Sequence, residues 1–173
     1  ISMYTSQAFV QVNDALRNNL GDPAMDGLAQ AFTNGLAKLP SFDGNPVQTP
    51  NGIRYEVYRG AKLPQNVGDQ HIIGNQVSDP GIMSSTYEKG EALKGVNFSI
   101  TLLLKPGSSG KDISMFSDKP TECEVAFPPN VNFMVTARRL DSGGMLPPHM
   151  EATYHPKLDH GGTMVANLVM TEV

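Results

Sequence analysis

Ile53-Arg54-Tyr55-Glu56-Val57-Tyr58-Arg59 is the stretch whose reading decides the fold, because it changes the period of the chain. Ile53, Tyr55, Val57 and Arg59 lie two residues apart, which places them on one face of an extended strand. Strand signals continue to the end of the sequence. Val96–Lys105 is rich in β-forming residues and stops at Pro106-Gly107, and Glu122–Phe127, Val131–Ala137 and Thr163–Glu172 read the same way. Gly and Pro cluster between these runs, as in antiparallel sheets joined by loops. There is no internal repeat, and no alternation of strand and helix that would imply a parallel nucleotide-binding sheet.

Before Ile53 the period is helical. Within residues 4 to 38, Phe9, Val12, Leu16 and Leu20 recur at three- and four-residue steps and form one apolar stripe. Gly21-Asp22-Pro23 interrupts it, with Asp22 as cap and Pro23 as first residue of a second helix carrying Met25, Leu28, Ala29, Phe32, Leu36 and Leu39. Pro40 to Gly52 is rich in Pro, Gly, Asn and Asp and reads as a loop. The expectation is an α+β chain, with a helical prelude over 1–40 and a β-sandwich over 53–173, in one domain spanning 1–173.

The 173 residues suffice for a core without metals or disulfides. Thirteen basic and seventeen acidic residues give a net charge of −4, which argues against a broad electrostatic grip on nucleic acid. The single cysteine, Cys123, rules out an intrachain disulfide and a metal site of several thiolates. No apolar run approaches the ~20 residues that span a bilayer. The start at Ile1 is read as the edge of a domain cut from a longer protein.

Three short segments carry chemistry. In Tyr58-Arg59-Gly60 an arginine follows apolar strand-mates into a core or cleft, where a guanidinium needs an anion. Its fork suits a phosphate, and Gly60 admits close backbone approach, although for this segment taken alone an arginine paired with a structural carboxylate is the better reading. In Gly81-Ile-Met-Ser-Ser-Thr86 the hydroxyls of Ser84, Ser85 and Thr86 can bond a carboxylate or a ribose, but small polar triplets are also common in turns. In Pro120-Thr-Glu-Cys-Glu-Val-Ala-Phe-Pro-Pro129 a strand would point Glu122 and Glu124 the same way, with Cα atoms roughly 7 Å apart, and Cys123, Val125 and Phe127 toward the core. Paired carboxylates repel unless a cation or reacting substrate uses them, or unless they lie on a solvated face.

Taken together and in this order, the three segments resemble the arginine–serine–glutamate class of mono-ADP-ribosyltransferases, which includes bacterial toxins and vertebrate ecto-enzymes. Ile113 to Val135 is similar to that family's acceptor-recognition loop and the strands after it, and the resemblance covers residues 53 to 173. The serine motif departs from the family's Ser-Thr-Ser by reading Ser-Ser-Thr. The resemblance implies a split antiparallel β-sandwich with NAD as substrate in the cleft. It also implies roles. Arg59 would hold the NAD phosphates or ribose, and the Gly60 backbone the nicotinamide amide. Ser84 would position the catalytic Glu124, with Ser85, Thr86 and Tyr87 beside the dinucleotide and Tyr87 stacking on nicotinamide. Glu124 would bond the ribose 2′-hydroxyl and stabilise positive charge as nicotinamide leaves. Glu122 would orient and deprotonate an acceptor arginine, and Phe116 would touch the target protein.

The reading that follows is a secreted or delivered effector domain, acting in the cytosol of a target cell on a protein with an accessible arginine. An immunity or inhibitor protein would accompany such a toxin. Transfer to water, transfer to structured RNA, and a non-enzymatic binding module are the competing readings. Gly107-Ser-Ser-Gly-Lys111 lacks the spacing of a phosphate-binding loop and reads as a surface turn. His149, His155 and His160 lack metal-ligand spacing, so no metal is expected.

Overall fold

The computed structural model describes residues 8–88, 98–140 and 166–173. His149, His155 and His160 lie outside that set, as do the first residues of two expected strands. The helical prelude forms α1 (Ala8–Arg17) and α2 (Pro23–Leu36). Asp22 caps α2: its Oδ1 accepts from the amides of Ala24 (2.9 Å) and Met25 (3.3 Å), and Pro23 follows at the first helical position. We expect Asp22→Ala to lower the stability of the fold by about 1 kcal/mol in urea titration, since it orphans these two donors.

The strands are β1 (Pro46–Thr49), β2 (Gly52–Ala61), β3 (Gln76–Ser78), β4 (Met83–Thr86), β5 (Phe98–Leu104), β6 (Lys111–Asp112), β7 (Glu124–Phe127), β8 (Asn132–Leu140) and β9 (Ala166–Glu172). A four-residue helix, α3 (Gln65–Gly68), lies between β2 and β3. The strand order is β3-β8-β9-β5-β2-β4-β7-β6, with β1 on β2. All pairings are antiparallel except β5 with β9. A single pair, Tyr58 with Thr86, joins β2 to β4, whereas β2 and β5 pair from Tyr55–Leu104 to Ala61–Phe98. The sheet is split at that weak seam.

The main core draws on both sides of the seam, with Val57, Leu102, Leu104, Val125, Phe127, Phe133, Val135 and Met170 buried together. A second cluster packs Val12, Ala29, Phe32 and Leu36 of the helices on Ile82, Ile113 and Ala126. Strand β7 is thereby covered on both faces. Among the described residues no helix is long and apolar enough to cross a membrane.

The structure corrects the sequence reading at several points. Pro40 to Gly52 is not all loop: Pro46–Thr49 is a strand paired with β2, turning at Pro50-Asn51 into Gly52, whose φ of +101° suits glycine. Pro46 is tolerated because it opens a strand that lies off the main strand order, where its missing N–H breaks no inner ladder. Leu20 is exposed because α1 ends at Arg17, so its stripe stops at Leu16. Around Glu56 to Tyr58 strand β2 is buried on both faces, and Glu56 accepts a hydrogen bond from the Tyr58 hydroxyl there. Within Gly107–Lys111 the turn holds, with Gly107 at φ +74°, but Ser108 is fully buried and Lys111 begins β6.

Candidate active site

β2 delivers Arg59 to the seam with its side chain 17% exposed. Its Nη1 donates to the Ser84 carbonyl at 2.8 Å, and its Nη2 stands 3.4 Å from Asp79 Oδ2. The alternative of a structural carboxylate is therefore met in part, by a residue the sequence did not single out. β4 delivers Ser84, whose Oγ donates to Glu124 Oε1 at 2.6 Å. The register aligns Thr86 with Glu124 and Ser84 with Ala126, so Ser84 and Glu124 are diagonal neighbours on one face. Hydrogen bonds thus link the Arg59 guanidinium to the Ser84 backbone and the Ser84 hydroxyl to Glu124.

The Glu124 carboxyl is held above the ordinary glutamate range. Burial is the largest cause; the Ser84 hydroxyl opposes it, and the negative charge of Glu122 adds to it. The native state holds this proton more tightly than the unfolded chain does. Between the unfolded and folded pKa values, stability from this group therefore falls as pH rises. Any activity that uses the ionised carboxylate should therefore show an acid limb of its kcat/KM profile above the usual glutamate range. Ser84→Ala should move that limb up and Glu122→Gln should move it down. A limb that moves the same way in both variants, or in neither, contradicts this assignment of causes.

Glu122 is a correction. It does not share a strand with Glu124: it closes a 3₁₀ turn over Pro120–Glu122, and Cys123 takes a left-handed conformation (φ 49°, ψ 50°) before β7 begins. Pro120 fixes the start of that turn, and the kink at Cys123 re-aims the chain. The Glu122 side chain is 49% exposed and pairs with Lys119 at 3.2 Å. Cys123 accordingly is only partly buried, while Val125 and Phe127 are core as expected.

The remaining hydroxyls and aromatics have other partners. Ser85 is buried and donates to the Val125 carbonyl at 3.0 Å, away from the Ser84 side of the strand. Thr86 Oγ1 accepts from the Glu88 amide at 2.9 Å. Tyr87 lies flat against Phe42, ring centroids 5.7 Å apart, and its amide donates to the Cys123 carbonyl at 3.1 Å. It ties the 113–123 loop to the sheet, with one ring face taken. Phe116 ends an exposed turn, Ser114–Phe116, beside Met115, which is 81% exposed and which the sequence reading passed over. Gly60 pairs with Ser99 in the β2–β5 ladder, next to Arg59. Asp79, which contacts Arg59, and Arg17 and Asn13 behind it were passed over in the sequence, because no local motif marks them.

A split sheet with arginine, serine and glutamate chained across its seam is the ADP-ribosyltransferase fold. Solved structures agree: the catalytic domain of VahC from Aeromonas hydrophila superposes with a TM-score of 0.74 at 20% identity, covering 99% of this chain and 95% of that one. Plx2a, an ADP-ribosyltransferase toxin from Paenibacillus larvae, gives 0.72 at 16% identity, over 100% and 83% of the two chains. The model of the NAD:arginine ADP-ribosyltransferase family matches residues 1–145, and the chain belongs to that family. It is 34% identical over 140 residues to NAD(+)-protein-arginine ADP-ribosyltransferase Tre1 from Serratia proteamaculans, covering 80% of this chain. The chain spans 28% of that relative's length.

Proposed function

We propose that the chain cleaves the nicotinamide–ribose bond of NAD and transfers ADP-ribose to an arginine of a target protein, as the catalytic part of a bacterial toxin or effector. The single observation that carries this is the 2.6 Å Ser84–Glu124 hydrogen bond, with Arg59 anchored 2.8 Å from the same serine's carbonyl. It links a carboxylate, the hydroxyl bonded to it and a guanidinium whose fork suits a phosphate. Departure of nicotinamide builds positive charge on the ribose, and a preorganised carboxylate beside the sugar lowers that barrier. Arg59 serves the phosphates, and Gly60 beside it offers backbone without a side chain. Glu122, half exposed on its turn, orients an incoming guanidinium and takes a proton as the new bond to ribose forms.

Phe116 and Met115 present apolar surface next to Glu122, suited to contact with a target protein. The site of action is the cytosol of a target cell, where NAD is available, and an immunity protein covering the cleft protects the producer. Incubation with labelled NAD and a cell lysate tests the whole reading: a labelled protein band whose label resists RNase supports it. NAD loss with no labelled band makes the chain an NAD glycohydrolase instead.

A further inference from the structure

We infer that Asn45 is a positioning residue of the active site, a side-chain clasp that closes the split seam beside Arg59 and Ser84. The inference rests on the reading above that these two residues act on one bound NAD. Arg59 belongs to β2 on one side of the seam, and Ser84 and Glu124 to β4 and β7 on the other. Their spacing therefore depends on how firmly β2 is held to β4. The ladder supplies a single pair there, Tyr58 with Thr86. The Arg59 Nη1 bond to the Ser84 carbonyl adds a link on one side of that pair. Asn45 supplies another on the other side. Its Nδ2 donates to the Glu56 carbonyl at 3.3 Å and to the Tyr87 carbonyl at 2.9 Å. One NH2 group thus spans the gap from β2 to the residue after β4. Only the donor end of an asparagine can meet two carbonyl oxygens, which fixes the orientation of the side chain.

The backbone conformation at Asn45 suits such a clasp. Its φ of +50° is left-handed, a region that asparagine tolerates better than most side chains. Its carbonyl accepts the Glu56 amide at 3.0 Å, so Asn45 both accepts from and donates to Glu56. The Tyr87 backbone is gripped at both ends: its carbonyl by Asn45, and its amide by the carbonyl of Cys123, the residue before Glu124. Upstream in the same segment, the Phe42 ring lies on the Tyr87 ring with centroids 5.7 Å apart. Segment 42–45 therefore holds Tyr87 by an apolar and a polar contact at once. Asn45 itself is exposed, so its side chain bears on the local register of the seam more than on global stability.

The test is Asn45→Gly, which keeps the left-handed turn and removes only the side chain. Hydrogen–deuterium exchange should become about tenfold faster in segments 56–59 and 84–87, with β5 and β9 at wild-type rates. In NAD hydrolysis kcat should fall about tenfold with KM changed by less than about threefold, because the ligand is misaligned against Glu124 rather than lost. The acid limb of the pH profile should stay in place, since Ser84 and Glu122, which help to set it, lie on the β4–β7 side of the seam. Asn45→Asp, which turns a carboxylate toward two carbonyls, should be at least as impaired. Phe42→Leu removes the stacked ring, should show the same pattern more weakly, and serves if Asn45→Gly does not fold. Asp22→Ala lowers stability away from the seam and should leave kcat unchanged. Wild-type kcat in Asn45→Gly, or wild-type exchange at the seam, overturns the inference. So does a kcat loss of the same size in Asp22→Ala, because stability alone would then explain it. Arg59→Ala separates the two levels: if it cleaves NAD as wild type does, the site reading falls and takes this inference with it. An impaired Arg59→Ala beside an unimpaired Asn45→Gly overturns the clasp alone.

Discussion

Glu124→Gln should reduce both NAD cleavage and ADP-ribose transfer by at least roughly a hundredfold, the scale seen when one preorganised electrostatic partner is removed from a transition state. The substitution keeps the shape. Its amide oxygen can still accept the Ser84 hydroxyl, so the side chain stays in place while the charge is lost. The loss should therefore appear in kcat rather than in affinity for NAD. Stability should move the other way: burial disfavours the ionised carboxylate here, so a neutral side chain should leave Tm equal or slightly higher at pH 7. A variant that still cleaves NAD within about threefold of wild type would remove Glu124 from the chemistry.

Glu122→Gln should separate the two halves of the reaction. Transfer to an arginine acceptor should fall by about 10²–10⁴, the usual weight of a general base, while hydrolysis of NAD in the absence of acceptor changes only a few-fold. The structure favours this separation more than a shared strand would have. Glu122 sits outside β7 on its own turn, half exposed, where an acceptor can reach it, and only Glu124 is tied to Ser84. Its pair with Lys119 is exposed and contributes little to stability, so the variant should fold normally. Comparing labelled agmatine with water as acceptors gives both rates in one preparation. Unchanged labelling by Glu122→Gln would end its assignment as the acceptor's base.

The fold was legible where periodicity is strong and local. The two helices, the Asp22-Pro23 start of α2, and strands β2, β5, β8 and β9 follow from apolar spacing and from the Gly and Pro that bound it. Strand β1 was hidden because Pro46, Asn51 and Gly52 signal a turn, and they do: the turn belongs to a hairpin whose first strand is four residues long. Glu122 was misplaced because Glu-Cys-Glu-Val-Ala-Phe has an unbroken β-like composition, and nothing in it announces a left-handed Cys123. That conformation is imposed by the loop it closes, with the Tyr87 amide bonded to the Cys123 carbonyl at 3.1 Å.

By itself the sequence marked the candidates for the chemistry: an arginine after apolar strand-mates, a run of small hydroxyls, and two glutamates one residue apart. Each of these signals is confined to a few consecutive residues and survives in a linear string. Only the tertiary structure decided how they are held. Arg17, Asp79 and Arg59 are separated by 62 and 20 positions along the chain. They meet because α1 packs against the segment from Asp79 to Ile82 that leads into β4. A contact of that kind arises from packing between distant elements and leaves no spacing for a reader of the sequence to find.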